Sequence, residues 1–376
     1  MIDRELLDRV QRPLADAHGL PNACFTDPAL FALEQRKVLA ANWSGIGFAK
    51  DIPNPGDAKP IPFLGTPLLA VRGRDSQVRV FQNTCRHRGM ILVEQACNVG
   101  GSIRCPYHFW AYGLDGALRS TPNIGGHGVN SHAGIDASQL GLAEVRSAVW
   151  RDVIFVNVSG SAPPFGEYAQ HLSHRWAAFE QPVHAGGPES TFTLDVRTNW
   201  KLAVENYADS GHLPYVHPSL NTYSRLEDHY PIYLDGPNTG QGTTVYRRLE
   251  GETGVTFPDF AGVAGDWLEA AEYVCLFPNV LLGVHRDHAF AIVLEPLAPD
   301  RTREHIALYY AAPQTDEPLR QKNAAMWRTV FEEDIGVVEG MQRGRQGGLF
   351  DGGRFAPGMD GPVHVFHRWI ADQLSA

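Results

Sequence analysis

The sequence predicts an α+β chain with two antiparallel-sheet domains, and three observations carry that expectation. Its 376 residues exceed the roughly 100–200 of a single domain. Short β-rich runs broken by Gly, Pro and Asp clusters fill residues 43–158, and longer alternating runs fill 240–312. Between them, Ser159-Gly-Ser-Ala-Pro-Pro-Phe-Gly166 has the composition of a linker.

Residues 1 to about 40 carry helical spacing, with Leu6, Leu7 and Val10 on one stripe and a second run from Ala29 to Leu39. Asp27-Pro28 marks the start of that run, since a carboxylate caps free amides and proline needs no N–H in the first turn. Strands follow at Pro67–Arg72, Val78–Gln82 and Ala148–Asn157. Past the linker come a short helix from Gly166 to Ala177, a strand at Thr191–Val196 and a helix from about Trp200 to His212. The runs Tyr273–Val284, Ala289–Leu294 and Glu304–Ala311 read as one sizeable antiparallel sheet. A long amphipathic helix over 316–343, a Gly-rich segment and a short closing helix end the chain. The expected divisions are an N-terminal helical segment (1–42), a small β domain (43–160) and a larger sheet domain (161–376).

Composition narrows the function. With 43% hydrophobic and 20% charged residues the chain is globular rather than disordered. Lys and Arg number 32 against 42 Asp and Glu, a net charge of −10 that repels a phosphate backbone and excludes nucleic acid as a partner. No apolar run reaches the roughly 18–20 residues that span a bilayer, so no membrane association is expected. The opening Met-Ile-Asp-Arg-Glu-Leu-Leu-Asp lacks the basic-then-apolar layout of a secretory signal, and the expected location is cytoplasmic. Five cysteines, an odd number thinly spread, argue against a disulfide framework and for metal or redox chemistry.

The strongest motif is Cys85-Arg-His87 followed by Cys105-Pro-Tyr-His108. Each half offers one thiolate and one imidazole from a tight loop. Zinc accepts such a set, but zinc fingers usually keep their cysteines together and their histidines together. The mixed order fits a Rieske 2Fe–2S centre instead, where two Cys hold one iron and two His the other. Cys24, Cys97 and Cys275 have no such spacing and read as structural thiols.

Asn83-Thr-Cys-Arg-His-Arg-Gly89 and Arg104-Cys-Pro-Tyr-His-Phe-Trp-Ala-Tyr-Gly-Leu-Asp-Gly116 closely resemble the motifs of the Rieske-type ring-hydroxylating, non-haem iron oxygenases, in their catalytic α subunits. Phe109 stands where many members carry Gly, from which position 109 is expected not to need positive φ. Met90 and Tyr107 stand where respiratory Rieske proteins carry two paired cysteines, so that bridge cannot form.

A second constellation lies in Asn199-Trp-Lys-Leu-Ala-Val-Glu-Asn-Tyr-Ala-Asp-Ser-Gly-His-Leu-Pro-Tyr-Val-His217. On one continuous helix Glu205, Asp209 and His212 would share a face, and Pro214 would break the helix so that His217 turns back toward His212. Two imidazoles and one carboxylate form the facial triad of non-haem Fe(II) enzymes. The acid comes from the long C-terminal helix. Trp327, Val330, Phe331, Val338 and Met341 line one stripe with Asp334, whereas Glu332 and Glu333 fall off it. A buried carboxylate is costly unless paired or bound to a metal, which makes Asp334 the third ligand and Glu333 the runner-up. The alternating Gly283-Val-His-Arg-Asp-His288 reads as a solvated or hydrogen-bonded strand end, with His285 and Asp287 as possible pocket residues.

The resemblance implies more than the spacing does. It implies a helix-grip (START/Bet v1-like) catalytic domain after the all-β Rieske domain, and two cofactors, a 2Fe–2S cluster and a mononuclear Fe(II). It implies a separate NAD(P)H-dependent reductase, and a head-to-tail homo-oligomer, usually a trimer, in which Asp209 bridges a cluster histidine of one subunit to an iron histidine of the next. The chain has no Gly-rich dinucleotide fingerprint of its own. Its length and Phe277-Pro-Asn-Val-Leu-Leu-Gly-Val-His285 look most similar to members without a β subunit, several of which act on choline- or betaine-like compounds. The implied reaction is O₂-dependent monooxygenation or N-demethylation of a small quaternary ammonium compound. An aromatic-ring dihydroxylating dioxygenase or aryl O-demethylase is the alternative, and a Rieske electron carrier without oxygenase activity is a third reading of another class. Tyr215, Tyr223, Tyr230, Tyr233, Tyr246, Phe257, Phe260, Trp267, Tyr273 and Phe277 are the aromatics expected around the substrate.

Overall fold

A computed structural model describes residues 4–375. The chain divides into two compact units, one running from Ile46 to Ser161 and the other formed by the N-terminal segment through Gly45 together with everything from Ala162 onward. The N-terminal segment is therefore not a division of its own. Leu7, Val10, Phe25 and Val38 share a core with Phe366 and Ile370 of the C-terminal helix Gly361–Ser375. Asp27 caps the helix Pro28–Glu34 by accepting from the Ala29 and Leu30 amides.

The unit Ile46–Ser161 holds a seven-stranded sheet and a three-stranded one, the latter made of Ser102–Arg104, Ala111–Gly113 and Leu118–Ser120. The run Ala148–Asn157, read as one strand, is a hairpin of Glu144–Trp150 and Val153–Asn157. Arg151 and Asp152 turn the chain with φ of 48° and 66°. Two-residue hairpin loops take such values because their twist matches the strands. Without Asn or Gly at the turn, the sequence carries no mark of it. Phe81, Trp110 and Tyr112 pack with Cys85 and Cys105 in the core of this unit.

The other unit is built on an eight-stranded antiparallel sheet, whose longest strands are His288–Ala298 and Arg301–Tyr310. Tyr273–Val284 is split at Phe277-Pro278-Asn279 into Ala271–Leu276 and Val280–Val284, because proline has no amide for the ladder. The helix Glu317–Arg345 lies against this sheet and begins where Asp316 accepts from the Leu319 amide. Its Trp327, Phe331 and Val338 are buried with Phe192, Phe290 and Ile292. Among the described residues no helix is long and apolar enough to cross a membrane.

Candidate functional site

The two Cys–His loops are the same turn built twice. The Cys85 amide donates to Met90 O and the Cys105 amide to Trp110 O, both at 2.8 Å. The Gly89 amide returns to Cys85 O at 2.9 Å and the Phe109 amide to Cys105 O at 3.0 Å. Gly89 sits at φ 73° and its counterpart Phe109 at φ 61°. The expectation that position 109 avoids positive φ is thus overturned: the duplicated hydrogen bond demands the left-handed conformation, at a cost of about 1–2 kcal/mol for a side-chain-bearing residue. The Phe109 ring is 61% exposed, so it meets no further obstacle.

Both cysteines of these loops are buried and unpaired, while His87 is exposed and His108 half-buried. The imidazole rings lie 4.7 Å apart, and His87 stacks on Trp110. Burial pushes the Cys85 thiol up, while the Tyr112 hydroxyl, 3.2 Å from its sulfur, pulls it back. Among the described residues only one trio of His, Cys, Asp or Glu brings its donor atoms within 4.8 Å of one another, and it is not drawn from these loops. Sulfurs on the buried side and imidazoles on the outer side, spread too widely for one tetrahedral ion, fit a two-iron cluster better than zinc. Cys24 and Cys275 are core thiols, whereas Cys97 is exposed on an edge strand.

The trio is His212, His217 and Asp334. Its local structure differs from the sequence expectation. The helix from Trp200 ends at Ala208, and Asp209 is extended at φ −87° and ψ 141°. Glu205, Asp209 and His212 therefore do not share a helical face. The Asp209 N–H closes the helix on the Glu205 and Asn206 carbonyls, and its carboxylate shapes the following turn by accepting from the Gly211 and His212 amides at 2.8 and 3.1 Å. His212 and His217 flank the short helix Leu213–Val216, and Pro214 sits inside its first turn rather than breaking a longer one.

The two Nε2 atoms are 3.3 Å apart, and Asp334 Oδ1 lies 3.1 Å from that of His217 and 3.6 Å from that of His212. Ligands at right angles around one ion at about 2.1 Å lie about 3 Å apart, so the triangle suits a facially bound metal. The outer nitrogens are held by carboxylates. His212 Nδ1 donates to Asp209 Oδ2 at 2.9 Å, and His217 Nδ1 donates to Glu333 Oε2 at 2.7 Å. Each contact places the proton on Nδ1 and turns the Nε2 lone pair inward. Asp334 Oδ1 is shielded from solvent and accepts no hydrogen bond. With both imidazoles neutral and protonated on Nδ1, three electron-rich atoms converge with no proton between them, an arrangement that suits a cation. Glu333, the runner-up ligand, faces the wrong side of His217 to be one. Burial would raise the Asp209 carboxyl, but His212 and the Gly211 amide outweigh it and keep it lowered.

A cleft of about 510 Å³, solvent at its mouth included, opens beside the trio. Of the ten aromatics expected around it only Tyr273 lines it; the others are Tyr207, Phe290, Trp327 and Phe331. Tyr215 is 86% exposed, Phe257 packs on Tyr310, and Phe277 packs on Phe366. Trp327 and Phe331 were legible, since they precede Asp334 by seven and three residues on its own stripe. The polar tips of three rings are taken up: Tyr207 Oη donates to Leu282 O, Trp327 Nε1 donates to His288 Nε2, and Tyr273 Oη lies 3.1 Å from His285 Nε2. What these rings offer the cleft is carbon and π surface. His285, Asp287 and His288 are wholly buried, so the solvated reading of that strand end is replaced by the hydrogen-bonded one. His288 Nδ1 and Tyr246 Oη both donate to Asp287 Oδ1, and the three residues anchor the aromatics without entering the cleft.

Comparison with known proteins agrees with this layout. Residues 42–133 match the Rieske 2Fe–2S domain, and residues 184–376 match the catalytic domain of the ring-hydroxylating alpha subunit. The chloroplastic choline monooxygenase of Spinacia oleracea is 26% identical over 375 residues, covering 97% of this chain and 80% of that protein. The carnitine monooxygenase oxygenase subunit of Escherichia coli (strain K12) is 27% identical over 337 residues, 88% of this chain and 84% of that one. A quaternary ammonium Rieske monooxygenase crystallised with its substrate L-carnitine shares the fold with a TM-score of 0.78 at 20% identity, over 99% of both chains. The Rieske domain brings a 2Fe–2S cluster and the catalytic domain a mononuclear iron; the chain belongs to the ring-hydroxylating alpha subunits and is an oxidoreductase of the Rieske non-haem iron oxygenase class.

Proposed function

We propose that this chain is the terminal oxygenase component of a cytoplasmic system that monooxygenates, and thereby N-demethylates, a small quaternary ammonium compound. The observation that carries the reading is the cleft itself. It has five aromatic rings, an acid beside them in Asp334, and no lysine or arginine among its lining residues. Each aromatic face in contact with a desolvated cation contributes about 0.5–2 kcal/mol. Similarity to choline and carnitine monooxygenases supports the same substrate class.

In this reading Cys85 and Cys105 hold one iron of the cluster and His87 and His108 the other, while His212, His217 and Asp334 hold the mononuclear iron. When bound, these groups supply single electrons and O₂ activation. The balance is R₃N⁺–CH₃ + O₂ + 2e⁻ + 2H⁺ → R₃N⁺–CH₂OH + H₂O, the electrons coming from NAD(P)H through a separate reductase. The N–CH₂OH product then releases formaldehyde. The aromatic rings orient the ammonium group and exclude water, and Asp209 and Glu333 keep both histidine tautomers set for metal binding. Head-to-tail trimer assembly would let Asp209 join the cluster of one subunit to the iron of the next. A bare electron carrier would have no use for the trio.

The test is turnover with a surrogate reductase and NADH across methylated amines and arenes, following O₂ uptake and formaldehyde. Formaldehyde from a quaternary amine supports the proposal. Cis-diols from arenes, or formaldehyde only from aryl ethers, would replace it with the aromatic alternatives.

A further inference from the structure

Behind the aromatic wall of the cleft, one buried imidazole touches two oxidisable rings. His288 Nε2 accepts from Trp327 Nε1 at 2.8 Å, and the Tyr246 hydroxyl lies 3.4 Å from His288 Nδ1. Asp287 Oδ1 stands behind both, accepting from His288 Nδ1 at 2.8 Å and from Tyr246 Oη at 2.9 Å. Trp327 lines the cleft together with His212, His217 and Asp334, while Tyr246 is half-buried and follows the exposed Thr244 and Val245. Ring centroids step 5.9 Å from Trp327 to His288 and 6.0 Å from His288 to Tyr246, a path from the cleft toward solvent.

Their acceptors set these two rings apart from the other cleft tyrosines. Tyr207 donates to the Leu282 carbonyl, which holds the ring but does not take its proton. Tyr273 faces His285, whose pKa burial drives well down and which no carboxylate contacts among the described residues, so an imidazolium there is costly. Trp327 instead meets an imidazole with a carboxylate on its far side, the pairing that stabilises an imidazolium. Burial and Asp287 push the Tyr246 pKa well up, so the phenol keeps its proton until the ring is oxidised. An indole or phenol that loses an electron becomes a strong acid, and a base already in place speeds the loss.

We infer that Trp327, His288, Asp287 and Tyr246 form an electron relay that drains oxidising equivalents from the iron site when O₂ is reduced there without substrate. Trp327 first gives an electron to the site and its Nε1 proton to His288 Nε2. Tyr246 then gives an electron to the Trp327 radical and its Oη proton to Asp287 Oδ1, while His288 returns its proton to Trp327. A thiol at the surface restores Tyr246 by giving it a hydrogen atom, and Asp287 passes its proton to solvent. NADH supplies two of the four electrons in O₂ + 4e⁻ + 4H⁺ → 2H₂O, and two passes through the relay, fed by 2 RSH → RSSR + 2e⁻ + 2H⁺, supply the others. The relay goes beyond the substrate reading above and does not depend on which compound the cleft takes.

The experiment freeze-quenches the iron- and cluster-loaded protein during NADH-driven O₂ reduction, with a surrogate reductase and no organic substrate, and reads the EPR spectrum. A tyrosyl radical signal should appear, narrow in protein made with ring-deuterated tyrosine, and be absent when zinc replaces the mononuclear iron. In Tyr246→Phe a tryptophanyl signal should take its place. His288→Gln still accepts from Trp327 but cannot bind its proton, and the radical should appear at least about tenfold more slowly. A role limited to anchoring Trp327 moves none of these signals. Spin trapping and mass mapping on the wild-type protein need no variant and should place the adduct on Tyr246. No protein radical, a tyrosyl signal that survives in Tyr246→Phe or forms with zinc, or an adduct on Tyr207 or Tyr223 instead would overturn the relay. Formaldehyde release from quaternary amines, measured separately, would stand in each of those cases.

Discussion

Glu333 Oε2 lies 2.7 Å from His217 Nδ1, while Asp334, the next residue of the same helix, places Oδ1 3.1 Å from Nε2 of that ring. One imidazole is thus held on both sides by consecutive carboxylates. The first fixes its proton, and the second shares its lone-pair side with His212.

Replacing Glu333 by Gln keeps the shape but weakens the hold on the Nδ1 proton. Metal affinity should fall about 10- to 100-fold, as for other outer-shell carboxylates, and less than in Asp334→Asn. Competition with a zinc chelator reads both variants. Equal affinities for Glu333→Gln and wild type would remove Glu333 from the site.

At saturating iron, Asp209→Asn should keep both metals bound and the reduced-cluster EPR signal intact, because an amide oxygen still accepts from the Gly211 and His212 amides. Substrate turnover coupled to NADH should drop at least about a hundredfold, since the amide cannot stabilise the proton on His212 Nδ1 as a carboxylate does. Unchanged coupled turnover would show that the 2.9 Å contact is only structural.

In the metal-free protein, burial lowers the His217 pKa, but Asp334 and Glu333 raise it overall. A raised value means that the imidazolium persists to higher pH, so protons compete with metal on the acid side. Metal affinity should weaken as pH falls through that range, with proton release on binding. Titration calorimetry in buffers of different ionisation enthalpy measures the released proton. Its absence from slightly acid to neutral pH would contradict the competition.

Phe109→Gly should raise stability by about 1 kcal/mol, because glycine adopts φ 61° without the steric cost. Thermal unfolding with the cluster absorbance as reporter tests this. Loss of the cluster in the glycine variant would mean that the ring, and not only the backbone, supports the loop.

Local chain patterns were legible before any fold was known. Cys85 with His87, Cys105 with His108, and the stripe through Trp327, Phe331 and Asp334 are each set by a few residues of spacing, because turns and helices impose short periods on side-chain direction. Long-range packing decided the rest. The helix from Trp200 stops at Ala208, where Asp209 turns extended; Glu333 reaches His217 because the helix Glu317–Arg345 lies against the sheet; Arg151 and Asp152 turn a run that alternation alone shows as continuous. Which aromatics face the cleft depends on neighbours distant in the chain. A one-dimensional pattern records which faces a residue can occupy, and only the packed structure determines what lies opposite them.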